Sequence, residues 1–425
     1  MPPGGGTAPD TVTAQTLEQE NADDTVPEHS LTPAIVNDST QINGNAYLIT
    51  EGGTYNIENG TYTKGLWIVT SDPVVINIKG NITLSQGAGN FVDLQPPTDA
   101  QLANFKQTGI TIENSGCGEV TVNGGNYTVT RTGNNVLFHT GLYAQNAALV
   151  INGGTYTSQN SNVFLIDNGT LTVKSGAFAT KSSSHTLLQT ESSQKITIEN
   201  GHFEAEYICI FQKATAELTI ENGSFTSKNN EVLWLRGNTV LNGGSFTSES
   251  TDSSAVAVRV LDPYDNTGNS LTINGNTAIS LPNATTDSSV VIYLDDGSEG
   301  KVNTLIVNGG TISAGSGADG TRVYENTKVI LNGGTIKNTT AGVDASSSRL
   351  TSANASVELG NVAFENNGCD VELNPYSSDV GEYGVNGKNY FLLTLKPEFK
   401  SKTKVSIIDN AYCQITTAGI TAEQA

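Results

Sequence analysis

Asp262 and Asp265, Asp295 and Asp296, and Glu299 and Glu325 place six carboxylates in one part of the chain. The first follows the apolar Leu261, the third follows Leu294, and Glu325 follows Tyr324. Calcium takes about six to eight oxygen ligands, and carboxylates are its usual donors. If the three apolar runs lie side by side, these six side chains gather along one edge, where their mutual repulsion is relieved by a hard cation. Solvated loop acids are the plainer alternative. A second chemistry stands beside the first. Trp234 alternates with leucines in Val232-Leu-Trp-Leu-Arg236. If Val232, Trp234 and Arg236 share a side, the arginine makes that side the outer one, and the indole face is free to stack on a sugar ring. Trp234, Arg236, Asp262 and Tyr293 are therefore ligand-binding candidates. Trp67 is the only other tryptophan. Arg236 and Arg259 are the candidates for a catalytic base, on the same coil as Asp262 or one coil away. The four histidines, His29, His139, His185 and His202, are scattered and form no catalytic string.

Such residues act together only if the chain brings segments about 25 residues apart into contact, and a repeat does this. Leu218-Thr-Ile-Glu-Asn-Gly223-Ser-Phe225-Thr-Ser227 reads apolar, polar, apolar, turn, aromatic. Variants recur at Asn123-Gly-Gly125-Asn-Tyr127, Asn152-Gly-Gly154-Thr-Tyr156, Glu199-Asn-Gly201-His-Phe203, Asn242-Gly-Gly244-Ser-Phe246, Asn308-Gly-Gly310-Thr-Ile312 and Asn332-Gly-Gly334-Thr-Ile336. Gly154, Gly176, Gly201, Gly223 and Gly244 are separated by 22, 25, 22 and 21 residues. That period is too short for helical-pair or propeller repeats, and the framework of leucine-rich repeats is missing. It suits one coil of three short strands and three turns. Strand alternation turns Leu218, Ile220 and Phe225 inward and Thr219, Glu221, Ser224 and Thr226 outward. Asn222-Gly223 turns the corner, because both residues tolerate positive φ. Stacked coils then predict an internal ladder of Tyr127, Tyr156, Phe178, Phe203, Phe225, Phe246, Ile279, Ile312 and Ile336. The outward hydroxyl rows beside it are interrupted by Ala177, Ala179, His202 and Glu204, which argues against an ice-binding face. After Gly244 the spacing stretches through polar insertions, which repeat arrays place on side loops. Apolar runs ending at Ile166, Phe211, Leu235, Leu261, Leu294 and Tyr324 are read as equivalent edges of successive coils.

Composition narrows the partners. The 425 residues hold 42 acidic and 21 basic side chains, a net charge of −21, which disfavours nucleic acid as a partner. No apolar run reaches the ~18 residues of a transmembrane span. Residues 1–33 carry five of the 12 prolines together with Glu18, Glu20, Asp23, Asp24 and Glu28; they read as a disordered acidic tether. Residues 34–369 read as the solenoid and 370–425 as a C-terminal cap that shields the last coil. Cys209 belongs to an apolar run and reads as core, whereas Cys369 and Cys413 are close enough to the C-terminal end to pair. Met1 is the only methionine and reads as a start codon added to a mature or truncated exported chain. A lipid on a lost upstream cysteine would anchor such a tether to a cell surface.

Turn glycines, coils of about 22 residues and an inward aromatic or aliphatic ladder resemble the right-handed parallel β-helix proteins of the pectate-lyase-like superfamily. The chain is most similar there to exported bacterial β-helix repeat proteins, some of which bind polysaccharide and calcium. The resemblance covers residues 40–365 and rests on residues that build coils. It implies an all-β, single-stranded right-handed solenoid, extracellular or on a bacterial surface, that binds a polysaccharide or host glycan without cleaving it. A calcium-dependent polysaccharide lyase or glycoside hydrolase is one alternative; a purely structural surface protein is another.

Overall fold

The computed structural model describes residues 26–38, 46–85, 108–112, 119–130, 136–140, 147–191, 195–213, 216–261, 268–295, 301–315, 317–324, 326–345, 355–373, 391–399, 405–407 and 413–417. Within them the chain is a right-handed parallel β-helix. Its described strands form three all-parallel sheets, here called A, B and C, of 15, 14 and 12 strands. One coil shows the plan. Glu217–Ile220 lies in sheet A, Ser224–Ser227 in sheet C and Leu233–Leu235 in sheet B, and Thr239–Leu241 returns to sheet A one level on. The hand follows from the right-handed twist of strands, which lets a crossover close compactly in one sense only.

The core is a continuous column. Leu218, Ile220 and Phe225 are buried while Thr219, Ser224 and Thr226 are half-buried on the outside. The inward ladder follows the expected register: Tyr127 pairs with Tyr156, Tyr156 with Phe178, Phe178 with Phe203, Phe203 with Phe225, and Phe225 with Phe246. Ile279, Ile312 and Ile336 continue it. Phe203 and Phe225 stack at 4.5 Å between ring centroids, and Phe225 and Phe246 at 4.7 Å, so the rings sit at the strand spacing of about 4.8 Å. Gly223 has φ 131°. A Cβ there would lie 2.8 Å from the Gly201 carbonyl oxygen and 3.1 Å from the Phe225 ring, so the corner requires glycine for two reasons.

A second ladder runs outside the first. On the outer edge of sheet A, the Asn77, Asn123 and Asn152 amides each donate to the asparagine one coil below, at 2.9, 2.9 and 2.8 Å. Asn274, Asn308 and Asn332 repeat the arrangement at 3.0, 2.9 and 2.8 Å, and Lys396 donates to the last of them. An amide is donor and acceptor at once, so a stack of identical side chains satisfies itself. The Asn of the Asn-Gly turn thus joins coils as well as bending the chain.

The sheets reach beyond the limits suggested by composition. Glu28–Leu31 pairs in parallel with Gly53–Ile57 in sheet A, inside the stretch read as tether. The helix Pro33–Asp38 follows in the place where later coils put a sheet C strand. Val36 is fully buried there, and Asn37 bonds the backbone of Thr61 and Thr63. This single turn and a half of helix covers the open N-terminal cross-section. At the other end Cys369–Leu373, Phe391–Leu395, Val405–Ile407 and Cys413–Thr417 extend sheets A and B by further coils. Cys209 is fully buried, as expected of core, and burial pushes its thiol up. Cys369 opens a strand of sheet B and its Sγ donates to the Val371 carbonyl. Cys413 opens a strand of sheet A, and its side chain lies outside the described residues.

Candidate functional site

Sheet B differs from the other two faces in what it points outward. In Leu233–Leu235 both leucines are fully buried and Trp234, between them, is half-buried on the outside. The same alternation exposes Arg259 between Val258 and Val260, and Tyr293 between Ile292 and Leu294. Parallel pairing then aligns these side chains: Phe211 with Trp234, Trp234 with Arg259, Arg259 with Tyr293, Tyr293 with Arg322, Arg322 with Asp344, and Asp344 with Glu372. One outward position on successive coils therefore carries a strip of aromatic and arginine groups that ends in carboxylates. Upstream the same position holds Trp67, Thr111, His139 and Leu165, which are all buried. The two tryptophans thus separate: Trp67 is 3% exposed, whereas Trp234 stands on the accessible part of the row.

The strip is held as a unit. Phe211 and Trp234 have ring centroids 5.1 Å apart. Arg259 lies between two rings, with its guanidinium carbon 4.8 Å from the Tyr293 centroid and 5.9 Å from that of Trp234. Arg236 and Lys213 both approach Phe211 at 5.6 Å. A guanidinium over an aromatic face gains about 0.5–2 kcal/mol, more as water is excluded. Behind the strip, Glu231 is buried and accepts the Arg259 Nε–H at 2.8 Å. That contact fixes the plane of the guanidinium and leaves Nη1 and Nη2 with no hydrogen-bond partner among the described residues. Arg322 is more fully engaged. It donates to Asp319 at 2.6 Å, to Asp344 at 2.8 Å and to the Asp287 carbonyl at 2.7 Å, and so ties adjacent coils together. Two buried acids share that one arginine. Burial, and then the nearby Asp344, push the Asp319 carboxyl up to about 7 against the pull of Arg322. Glu372 is raised for the same two reasons.

No known protein family, curated protein or solved structure matches the chain.

Trp234, Arg259 and Tyr293, singled out in the sequence, come together. Arg236 flanks them from the end of the Trp234 strand. Asp295 is half-buried two residues past Tyr293, whose hydroxyl lies 3.5 Å from its carboxylate. Asp262, Asp265, Asp296, Glu299 and Glu325 lie outside the described residues. Among the described residues no three His, Cys, Asp or Glu side chains gather as a metal cage.

The expected equivalence of strand ends needs correction. Gln212 pairs with Leu235, Leu235 with Val260, and Val260 with Leu294. Tyr293 pairs with Arg322, which sets Val323 opposite Leu294. Phe211, Leu261 and Tyr324 are therefore one residue off the positions assigned to them, Phe211 in one direction and the other two in the opposite one. A one-residue slip moves a side chain to the other face of a strand, so Phe211 belongs to the outer strip and not to the edge row. Arg322, Asp344, Glu231 and Asp319 were missed altogether. The signal that finds Arg322 and Asp344 is the position two residues before the Asp295-type corner, where each sheet B strand has an outward slot flanked by buried residues; Glu231 and Asp319 lie three residues before the slot residues Trp234 and Arg322 and carry no such signal.

Proposed function

We propose that the protein is a non-catalytic glycan-binding module of the pectate-lyase-like type, displayed extracellularly or on a bacterial surface, and that the sugar chain lies along the outer strip of sheet B. The observation that carries this reading is the in-register row Phe211, Trp234, Arg259, Tyr293. Aromatic faces supply stacking surface for the apolar faces of pyranose rings. Between them Arg259 offers two Nη donors that have no protein partner among the described residues. Successive side chains stand about 4.8 Å apart, close to the rise of one sugar residue along an extended polymer, so a linear glycan meets a new contact on each coil. Arg259 donates to a buried carboxylate, which suits it to holding oxygen ligands and not to taking a proton from a substrate. Calorimetry against soluble oligosaccharides tests the proposal. Trp234→Ala is expected to weaken binding at least about tenfold, the equivalent of ~1.4 kcal/mol, with the circular dichroism of the fold retained because Trp234 stands outside the core. Unchanged affinity in this variant would remove the strip as the binding site. Release of unsaturated or reducing ends from the bound polymer would replace the binding module with the lyase or hydrolase.

A further inference from the structure

The cations of the strip do not make it a positive surface. Lys213 is held by both oxygens of Glu191, at 2.8 and 2.9 Å. Arg259 is held by Glu231 and Arg322 by Asp319 and Asp344. Arg236 completes the set over Phe211. These four cations are set against six carboxylates, Glu191, Glu231, Asp295, Asp319, Asp344 and Glu372, on a chain of net charge −21. The neutralising acids are not incidental surface groups. Glu231, Asp319 and Asp344 are all buried, at positions where an apolar residue would pack without the cost of desolvating a charge. Glu231 in addition keeps Oε2 buried with no partner.

We propose that the strip selects uncharged glycans and turns away acidic ones, both uronates and sulfate esters; this rests on the reading of the strip as a glycan site. An uncharged sugar finds aromatic faces and Nη donors whose charge is already balanced behind them. A hydrogen bond from a charged donor to a hydroxyl remains favourable there. An acidic sugar finds the same donors but no net positive potential, and it meets Asp344 and Glu372 farther along the row. Like charges at such distances repel, and the field of an acidic molecule opposes the approach of a polyanion.

The experiment is retention of the full chain on an array of uncharged oligosaccharides and of their uronate and sulfated counterparts, at physiological salt. Retention by uncharged members alone is expected. Stronger retention by an acidic member than by its uncharged counterpart overturns the selectivity and leaves the glycan reading intact; retention by no member overturns both. Glu231→Gln provides the converse. With its carboxylate gone, Arg259 becomes an uncompensated cation, and retention on sulfated members should rise several-fold at low salt and vanish at 1 M salt, where the Debye length is about 3 Å. Glu191→Gln makes the same change at Lys213, whose ammonium is held by Glu191 over Phe211, should Glu231→Gln fail to fold. A folded variant of either kind with no gain on sulfated members overturns the masking role of the acid.

Discussion

At the scale of single residues, the strip stores an electrostatic conflict that solution measurements can read. Asp319 is buried beside Asp344, and its carboxyl is held up to about 7, against an ordinary value near 4. Between those two values the native protein binds a proton that the unfolded chain does not. Stability from this site is therefore complete below about pH 4 and is lost as pH rises through about 7. Asp319→Asn mimics the protonated form. Thermal melting from pH 4 to pH 8 should show a wild-type midpoint that falls relative to the variant across that window. Parallel curves would mean that Asp319 stays ionised with Arg322. Glu372, raised by burial and by Asp344, adds a contribution of the same sign that both proteins share. Glu204 and Glu358 are lowered, by Lys181 and by Lys328. Their stabilising contributions are lost only at the acid end, as pH falls through the lowered values.

At the scale of the element, the corner between sheets A and C decides how tightly coils can stack. Gly223 and Gly124 both have positive φ, 131° and 61°. A Cβ at Gly223 would press on the Gly201 backbone, but one at Gly124 meets nothing within 4 Å. Gly124→Ala is thus expected to cost only the left-handed backbone penalty of about 1–2 kcal/mol. Gly223→Ala adds a backbone clash that no rotamer can relieve and should cost clearly more, with a larger fall in denaturation midpoint. Equal losses would show that the stack gives way freely at Gly223. The Asn-Gly pairs were legible in the sequence as turns, because positive φ is a local demand. The asparagine ladder was not, since Asn123 meets Asn77 and Asn152 only once coils from distant sequence are laid in register.

At the scale of the whole molecule, a solenoid must hide its two open ends. Each end presents an apolar cross-section and unpaired strand edges. Helix Pro33–Asp38 does this at the N-terminal end by placing Val36 in the core, fully buried. Val36→Asp should lower the melting temperature and promote association that grows with concentration, seen by light scattering. A variant that stays monomeric and melts as wild type would mean that other residues seal that end. The capping helix sits beside the proline-rich, acidic stretch read as tether, and its four-residue neighbour Glu28–Leu31 joins sheet A. Composition averaged over residues 1–33 hides the four-residue strand Glu28–Leu31, because its parallel pairing depends on the coil above.

By itself the sequence determined the coil: its length, its inward ladder from Tyr127 to Ile336, its glycine corners and its all-β class. These are consequences of period-two alternation and of local backbone freedom, and both are written into neighbouring residues. Trp234 and Tyr293 could also be picked out as unusual. Only the tertiary structure decided which residue stands above which. The register between coils set Phe211, Trp234, Arg259, Tyr293 and Arg322 in one row, where the runs of the sequence suggested edges one residue away. It also buried Trp67 while leaving Trp234 accessible, and it brought Glu231, Asp319 and Asp344 behind the arginines. Insertions of variable length between strands erase register from the sequence, and a slip of one residue exchanges the inside of a strand for its outside.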